Sequence, residues 1–345
     1  MSRLTRLLIG SVNAPNPWFR AEGEGVTVCE LDEATGTLAR VCAHPHVENA
    51  MWMMRVGDAL LVAAERRTGG GEIGAFDAAF QPIGDPYRTP GSAICHLALS
   101  PGGETLYAVS YLGGVTAHAL SADGSIAAAH REITYAGSGP NRERQEASHP
   151  HQAVVSPDGG HLFVCDLGCD KVWVHPLDGD TLGPAAAIDA PAGSGPRHLV
   201  FHPTLPRFYL LSELDGIVRV YERRSAHWEP VASHCAIPEN FFGTPGGAAI
   251  RPHPSGRTLA VSVRGSHTLA VFDIDARGDL AVVANFSSGG KTPRDFDFTP
   301  SGRWLVALNQ DSDNAVVFGF DADTGLPTGH VGSSFAIGCP VCVIF

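Results

Sequence analysis

The sequence predicts an all-β fold, a seven-bladed β-propeller, from three observations. A strand–turn–strand unit recurs along the chain, no segment sustains a helical period, and the two chain ends supply complementary pieces of one more unit.

The recurring unit is read in "LALSPGGETLYAVSY", "AVVSPDGGHLFVCDL", "LVFHPTLPRFYLLSE", "AIRPHPSGRTLAVSVR" and "FDFTPSGRWLVALNQ". Each has an apolar strand, a turn built on proline and usually glycine, and a second apolar strand. The turn prolines are Pro101, Pro157, Pro203, Pro254 and Pro300, spaced by 56, 46, 51 and 46 residues. A sixth, weaker copy is "MWMMRVGDALLVAAE", with Arg55 at the proline position. Each second strand is followed by a third β-like run, such as "KVWVHPL" or "TLAVFDID", and then by a fourth, less regular one. Four short strands in roughly 46–50 residues is the period of a propeller blade. The second strands are apolar at successive positions ("LYAV", "LFVC", "LAVS"), as expected of strands buried on both faces.

The ends complete the count. "CPVCVIF" reads as a first strand that then stops, while "RLLIGSV" and "GVTVCELD" read as second and third strands. Joined, they form the seventh four-stranded antiparallel blade and leave no open sheet edge. A single domain, 1–345, is expected.

Composition agrees. Forty Gly and 25 Pro with 17% charged residues indicate many turns, and a hydrophobic share of 44% excludes disorder. A formal net charge of −12 argues against nucleic acid or anionic membrane as partner. No apolar run approaches the roughly 18 residues of a membrane span, and "MSRLTRLLIGSV" lacks a signal-peptide pattern. A cytoplasmic, reduced setting is therefore expected. The eight cysteines (29, 42, 95, 165, 169, 235, 339 and 342) are read as buried strand cysteines, because the C-x-x-C of "GCPVCVIF" has no partner pair.

In each blade the first strand's start and the second strand's end fall at the same edge. Counted from the turn proline, the starts are Asn49, Cys95, His151, Arg197, Ala248 and Arg294. The ends are Glu65, Tyr111, Leu167, Glu213, Arg264 and Gln310. These side chains are expected to gather at one mouth of the central channel. His96, His198 and Asp295 come next along their strands and are expected to support them. Cations and carboxylates at a concave opening suit an anionic ligand, ahead of the alternative that Arg197 and Arg294 only brace the channel by pairing with Glu213 and Glu65. In "SHPHQAVV", His151 holds a start position and His149 precedes the strand. It is read as a proton-transfer or ligand-binding residue ahead of a strand cap, and ahead of a metal ligand, since a catalytic zinc needs three protein ligands.

Several stretches then match a known family: "NRERQEASHPHQAVVSPDG", "DLGCDKVWVHPLD", "GSGPRHLVFHP", "SELDG", "PSGRTLAVSVRGSHTLAVFDID", "TPRDFDFTPSGRWLVALNQDSDNAVVFGFDADTG" and "PVCVIF". The chain resembles the seven-bladed propeller lactonases, a family that includes propeller-type 6-phosphogluconolactonases and 3-carboxy-cis,cis-muconate cyclases. The match covers most of 139–345, while the first 90 residues fit less well. The resemblance implies catalytic roles for His151, Arg197, Glu213 and Arg264. Substrate-binding roles are expected for Arg294, His198, Glu65, Tyr111 and Gln310. No metal and no cofactor is expected. The expected partner is a small anionic lactone, most simply 6-phosphogluconolactone. An unphosphorylated sugar-acid lactone, muconate lactonisation, and a non-catalytic binding propeller are the alternatives. The oligomeric state, monomer or weak dimer, stays open.

Overall fold

The computed structural model describes residues 3–66 and 69–345. Its strands form seven antiparallel sheets, and no helix occurs among the described residues. The fold is the expected seven-bladed propeller. Blade 1 holds strands Ala50–Val56, Ala59–Glu65, Gly71–Phe76 and Tyr87–Arg88. Blade 2 holds Ser92–Leu99, Thr105–Leu112, Gly114–Leu120 and Ile126–Ile133. Blade 3 holds Pro150–Val155, His161–Asp166 and Lys171–Asp178, with an outer edge in two pieces, Thr181–Leu182 and Ala186–Asp189. Pro184 lies in that break, where the missing N–H interrupts the ladder.

Blade 4 holds Pro196–Phe201, Arg207–Ser212, Ile217–Arg224 and His227–Cys235, and blade 5 holds Gly247–Pro252, Thr258–Val263, Thr268–Ile274 and Leu280–Ser287. Blade 6 holds Pro293–Phe298, Trp304–Asn309, Asn314–Phe320 and Pro327–Ala336. Blade 7 joins the chain ends, with Pro340–Ile344 inside Leu4–Ser11, Val26–Asp32 and Thr37–His44. The C-terminal strand pairs Ile344 with Leu8 and Cys342 with Gly10, as the terminal sequences predicted.

The chain forms two compact units, one of Met1–Val47 with Val200–Phe345, the other of Glu48–Leu199. In the larger unit the core lies between neighbouring blades. Leu7, Ile9 and Leu31 pack with Val306 and Leu308, while Tyr209 and Leu211 pack with Val261 and Phe272. In the 48–199 unit, Leu61 and Ile73 pack with Leu97 and Leu106, and Val109 packs with Val164. The second strands Thr258–Val263 and Trp304–Asn309 are buried along their whole length, because both of their faces meet another blade. Outer strands such as Leu280–Ser287 alternate towards solvent, which is why they read as less regular.

Blade 1 corrects one count. Its first hairpin pairs Val56 with Ala59 across Gly57–Asp58, whereas in blade 3 the Ser156 N–H meets the His161 carbonyl across four residues, 157–160. The turn is two residues shorter, so the proline position belongs to Gly57 and not Arg55. The equivalent of His151 in this blade is accordingly Met51 rather than Asn49. Three cysteine expectations also change. All eight are free thiols, but Cys42 and Cys235 are exposed and Cys95 is half-buried. Cys42 and Cys235 lie on outer edge strands, Thr37–His44 and His227–Cys235, which meet solvent on one side.

Candidate active-site residues

The first strands of blades 1, 2, 3 and 6 each carry a bulge just inside the start. The ladder skips one residue between Ala50 and Trp52, Ile94 and His96, Pro150 and Gln152, and Pro293 and Asp295. The skipped residues are Met51, Cys95, His151 and Arg294, and a bulge re-aims a side chain away from the regular pleat. Two residues before the skipped position the chain turns left-handed: Asn49 (φ 45), Ala93 (φ 55), Gly195 (φ 67), Gly246 (φ 68), Thr292 (φ 60) and Cys339 (φ 36).

Side chains of the preceding blade hold four of these turns. Glu65 Oε2 accepts the Ala93 N–H at 2.7 Å, and Asp170 Oδ1 accepts the Gly195 N–H at 2.8 Å. His267 Nδ1 accepts the Thr292 N–H at 3.1 Å, and Asp313 Oδ1 accepts the Cys339 N–H at 2.8 Å. Asp170, His267 and Asp313 are themselves left-handed, a conformation that Asp and His tolerate better than most residues. Sequence reasoning missed these clasps. For Asp170, His267 and Asp313 the signal is a residue three after the strand-end position, visible in "DLGCD", "VRGSH" and "NQDSD".

In the 48–199 unit the structure brings several predicted residues together. The His151 ring lies 5.3 Å from that of His198 and 5.9 Å from Tyr111, both edge-on. Arg197 Nη1 donates to His198 Nε2 at 3.2 Å. His151, Arg197 and His198 are all buried. Trp52, which the sequence did not single out, packs at a tilt against His96 at 4.2 Å and meets His198 edge-on at 6.1 Å. His149 has a separate task. Its Nε2 faces Glu146 Oε1 at 2.9 Å, its Nδ1 faces the Tyr111 carbonyl at 3.1 Å, and its ring stacks on Tyr111 at 4.3 Å. Of the pair in "HPH", His149 thus braces the strand entry and His151 occupies the bulge. Glu65 is buried, and burial raises its carboxyl pKa against the backbone N–H bonds it accepts. Among the described residues, no three His, Cys, Asp or Glu side chains are grouped so as to hold a metal ion.

In the larger unit, Glu213 and Arg264 form an ion pair, Oε2 to Nη2, at 2.8 Å. Glu213 is almost wholly buried, whereas the Arg264 side chain keeps 22% of its surface exposed. The segment entering blade 5 ties them together. Gly247 N–H donates to the Glu213 carbonyl at 2.9 Å, and Arg264 donates from its backbone to the Gly246 carbonyl at 2.8 Å. Gly265 permits this approach, since a Cβ there would lie 1.9 Å from the Thr244 carbonyl oxygen. Arg294 Nη1 reaches Gln310 Oε1 at 3.5 Å, and its guanidinium stacks on Phe19 at 4.7 Å. Asp295 supports a neighbour rather than a ligand: it takes Arg251 at 3.0 Å and the Val343 N–H at 3.1 Å.

The profile of the family described as "Lactonase, 7-bladed beta-propeller" matches residues 6–345. The chain belongs to the seven-bladed β-propeller lactonase family. The 6-phosphogluconolactonase of Bacillus subtilis is 29% identical over 337 residues, spanning 95% of this chain and 96% of its own. The solved periplasmic gluconolactonase PpgL of Pseudomonas aeruginosa is 30% identical with a TM-score of 0.89, covering 99% of both chains. A putative 6-phosphogluconolactonase from Bacteroides fragilis is 25% identical with a TM-score of 0.85, covering 98% of this chain and 97% of its own. Membership of the lactonase family supports a lactone-hydrolysing activity, and the polar groups just described are the candidates for it.

Proposed function

We propose that this lactonase hydrolyses a sugar-derived lactone, 6-phosphogluconolactone first, to the open-chain acid. The observation that carries the reading is the buried Glu213 carboxylate held by Arg264 at 2.8 Å. A carboxylate fixed beside a cation can take a proton from water while the cation polarises a carbonyl. Water attacks the lactone carbonyl carbon as its proton passes to Glu213. The carbonyl oxygen becomes an oxyanion, met by the Arg264 N–H groups. Collapse breaks the ring carbon–oxygen bond, and the proton returns from Glu213 to the leaving alkoxide. The product acid then ionises, so each turnover releases one proton.

His151 is the alternative base. Within the 48–199 unit it is accompanied by Arg197, His198 and Tyr111. Arg294 is assigned to the phosphate, because arginine matches a tetrahedral oxyanion with several donors. Gln310 and Glu65 are positioning residues in this scheme, the first beside Arg294 and the second at the Ala93 turn.

Proton release in a weakly buffered solution, with 6-phosphogluconolactone and gluconolactone side by side and the spontaneous hydrolysis of each subtracted, tests the proposal. Release with the phosphorylated lactone supports it. Release with gluconolactone alone favours the second reading, a gluconolactonase, which the likeness to PpgL independently supports. Silence from both rejects sugar lactones as substrates.

A further inference from the structure

The loop joining strands Leu4–Ser11 and Val26–Asp32 carries "NAPNPWFRAEGEG", a stretch that neither the repeat nor the family motifs explain. Its conformation is built residue by residue. Asn16 Oδ1 accepts the N–H groups of Trp18 and Phe19, each at 2.9 Å, which closes a tight turn. Arg20 follows and binds Asp313 through Nη2 at 2.9 Å, and donates to the Asp311 carbonyl at 3.1 Å. Gly23 N–H returns to the Val12 carbonyl at 2.7 Å, and Glu24 N–H to Ser11 Oγ at 2.9 Å. Phe19 is thereby held between two anchored neighbours, with its ring 4.7 Å from the Arg294 guanidinium carbon.

The other side of Arg294 leads to the same turn. Gln310 accepts from Arg294 at 3.5 Å, and its Nε2 donates to Asp311 Oδ1 at 2.9 Å. Asp311 Oδ2 also takes the Thr292 hydroxyl at 2.6 Å, two residues before Arg294. Thus the 311–313 turn anchors the aromatic ring through Arg20 and the amide through Gln310. An arginine packed on an aromatic face has its plane fixed while the edge N–H groups stay directed outward.

We propose that Phe19 is a positioning residue that sets the orientation of Arg294, so that this loop governs selectivity for a phosphorylated over a neutral sugar acid. The inference deepens the assignment of Arg294 to the phosphate and rests on it. Losing the aromatic face loosens the guanidinium without removing its charge. The expected effect is about three-fold on phosphate-dependent binding, the scale of one partly exposed cation–π contact. A tyrosine keeps that face and restores binding.

The test is calorimetric titration of the full chain with 6-phosphogluconate and with gluconate, using wild type, Phe19→Leu, Phe19→Tyr and Arg294→Ala, each checked for folding by circular dichroism. The expected result is weaker 6-phosphogluconate binding in Phe19→Leu and Arg294→Ala, restored in Phe19→Tyr, with a smaller change for gluconate. If Arg294→Ala weakens binding and Phe19→Leu matches wild type, the positioning role is overturned while the phosphate assignment stands. If both variants match wild type, both assignments fall, and lactone hydrolysis is judged separately by proton release. If Phe19→Leu weakens both acids equally, the loop acts on general stability and the selectivity claim is overturned.

Discussion

The Glu213 carboxylate meets the Arg264 guanidinium at 2.8 Å, although the two residues directly follow second strands of adjacent blades. Glu213→Gln keeps a hydrogen-bond acceptor for Arg264 but cannot take a proton. Turnover should fall by about 10²-fold or more with little change in thermal stability. Steady-state kinetics on folded protein checks it. If the variant keeps wild-type turnover, His151 becomes the candidate base.

Arg294→Ala should act on binding. An arginine that holds a distal phosphate contributes to ground and transition state alike, so KM for the phosphorylated lactone should rise with kcat nearly constant. An unchanged KM would remove Arg294 from that role.

Asp170 accepts N–H groups from Gly193 at 2.7 Å and Gly195 at 2.8 Å, and so fixes the turn that leads into Arg197. Asp170→Ala leaves those donors unpaired in a buried place. A loss of about 2–3 kcal/mol is expected in urea unfolding, accompanied by lower kcat/KM because Arg197 loses its setting. Full activity in a clearly destabilised variant would separate the clasp from function.

Asp297 predicts a pH effect. Burial, against the opposing Arg251 and reinforced by Asp295, pushes its carboxyl up to about 6. The native state therefore favours the neutral acid. Its stabilising contribution is full below pH about 4, the unfolded value, and is lost as pH rises through about 6. Asp297→Asn stays neutral throughout, so it should gain on wild type by about 1 kcal/mol from pH 4 to pH 8, a figure discounted for the partial exposure of the side chain. Urea midpoints that track wild type at both pH values would refute this.

Blade number, the closure of blade 7 and the positions of His151, Arg197, Glu213, Arg264 and Arg294 were all legible in the sequence. Each rests on local chemistry: a Pro-Gly turn sets a hairpin, and a count from that turn reaches the same strand position wherever the turn keeps its proline. Where the turn lost its proline, at Gly57–Asp58, the count slipped by two and named Asn49 in place of Met51. The clasps were written in the sequence as a repeat, but without meaning until adjacent blades were packed. Only the tertiary structure joined Arg264 to Glu213, His198 to His151, and Phe19 to Arg294. The last depends on Arg20 finding Asp313, 293 residues along the chain, and no local pattern encodes a pairing at that separation. Turns are decided by the few residues that form them, whereas contacts between loops are decided by where the blades bring those loops.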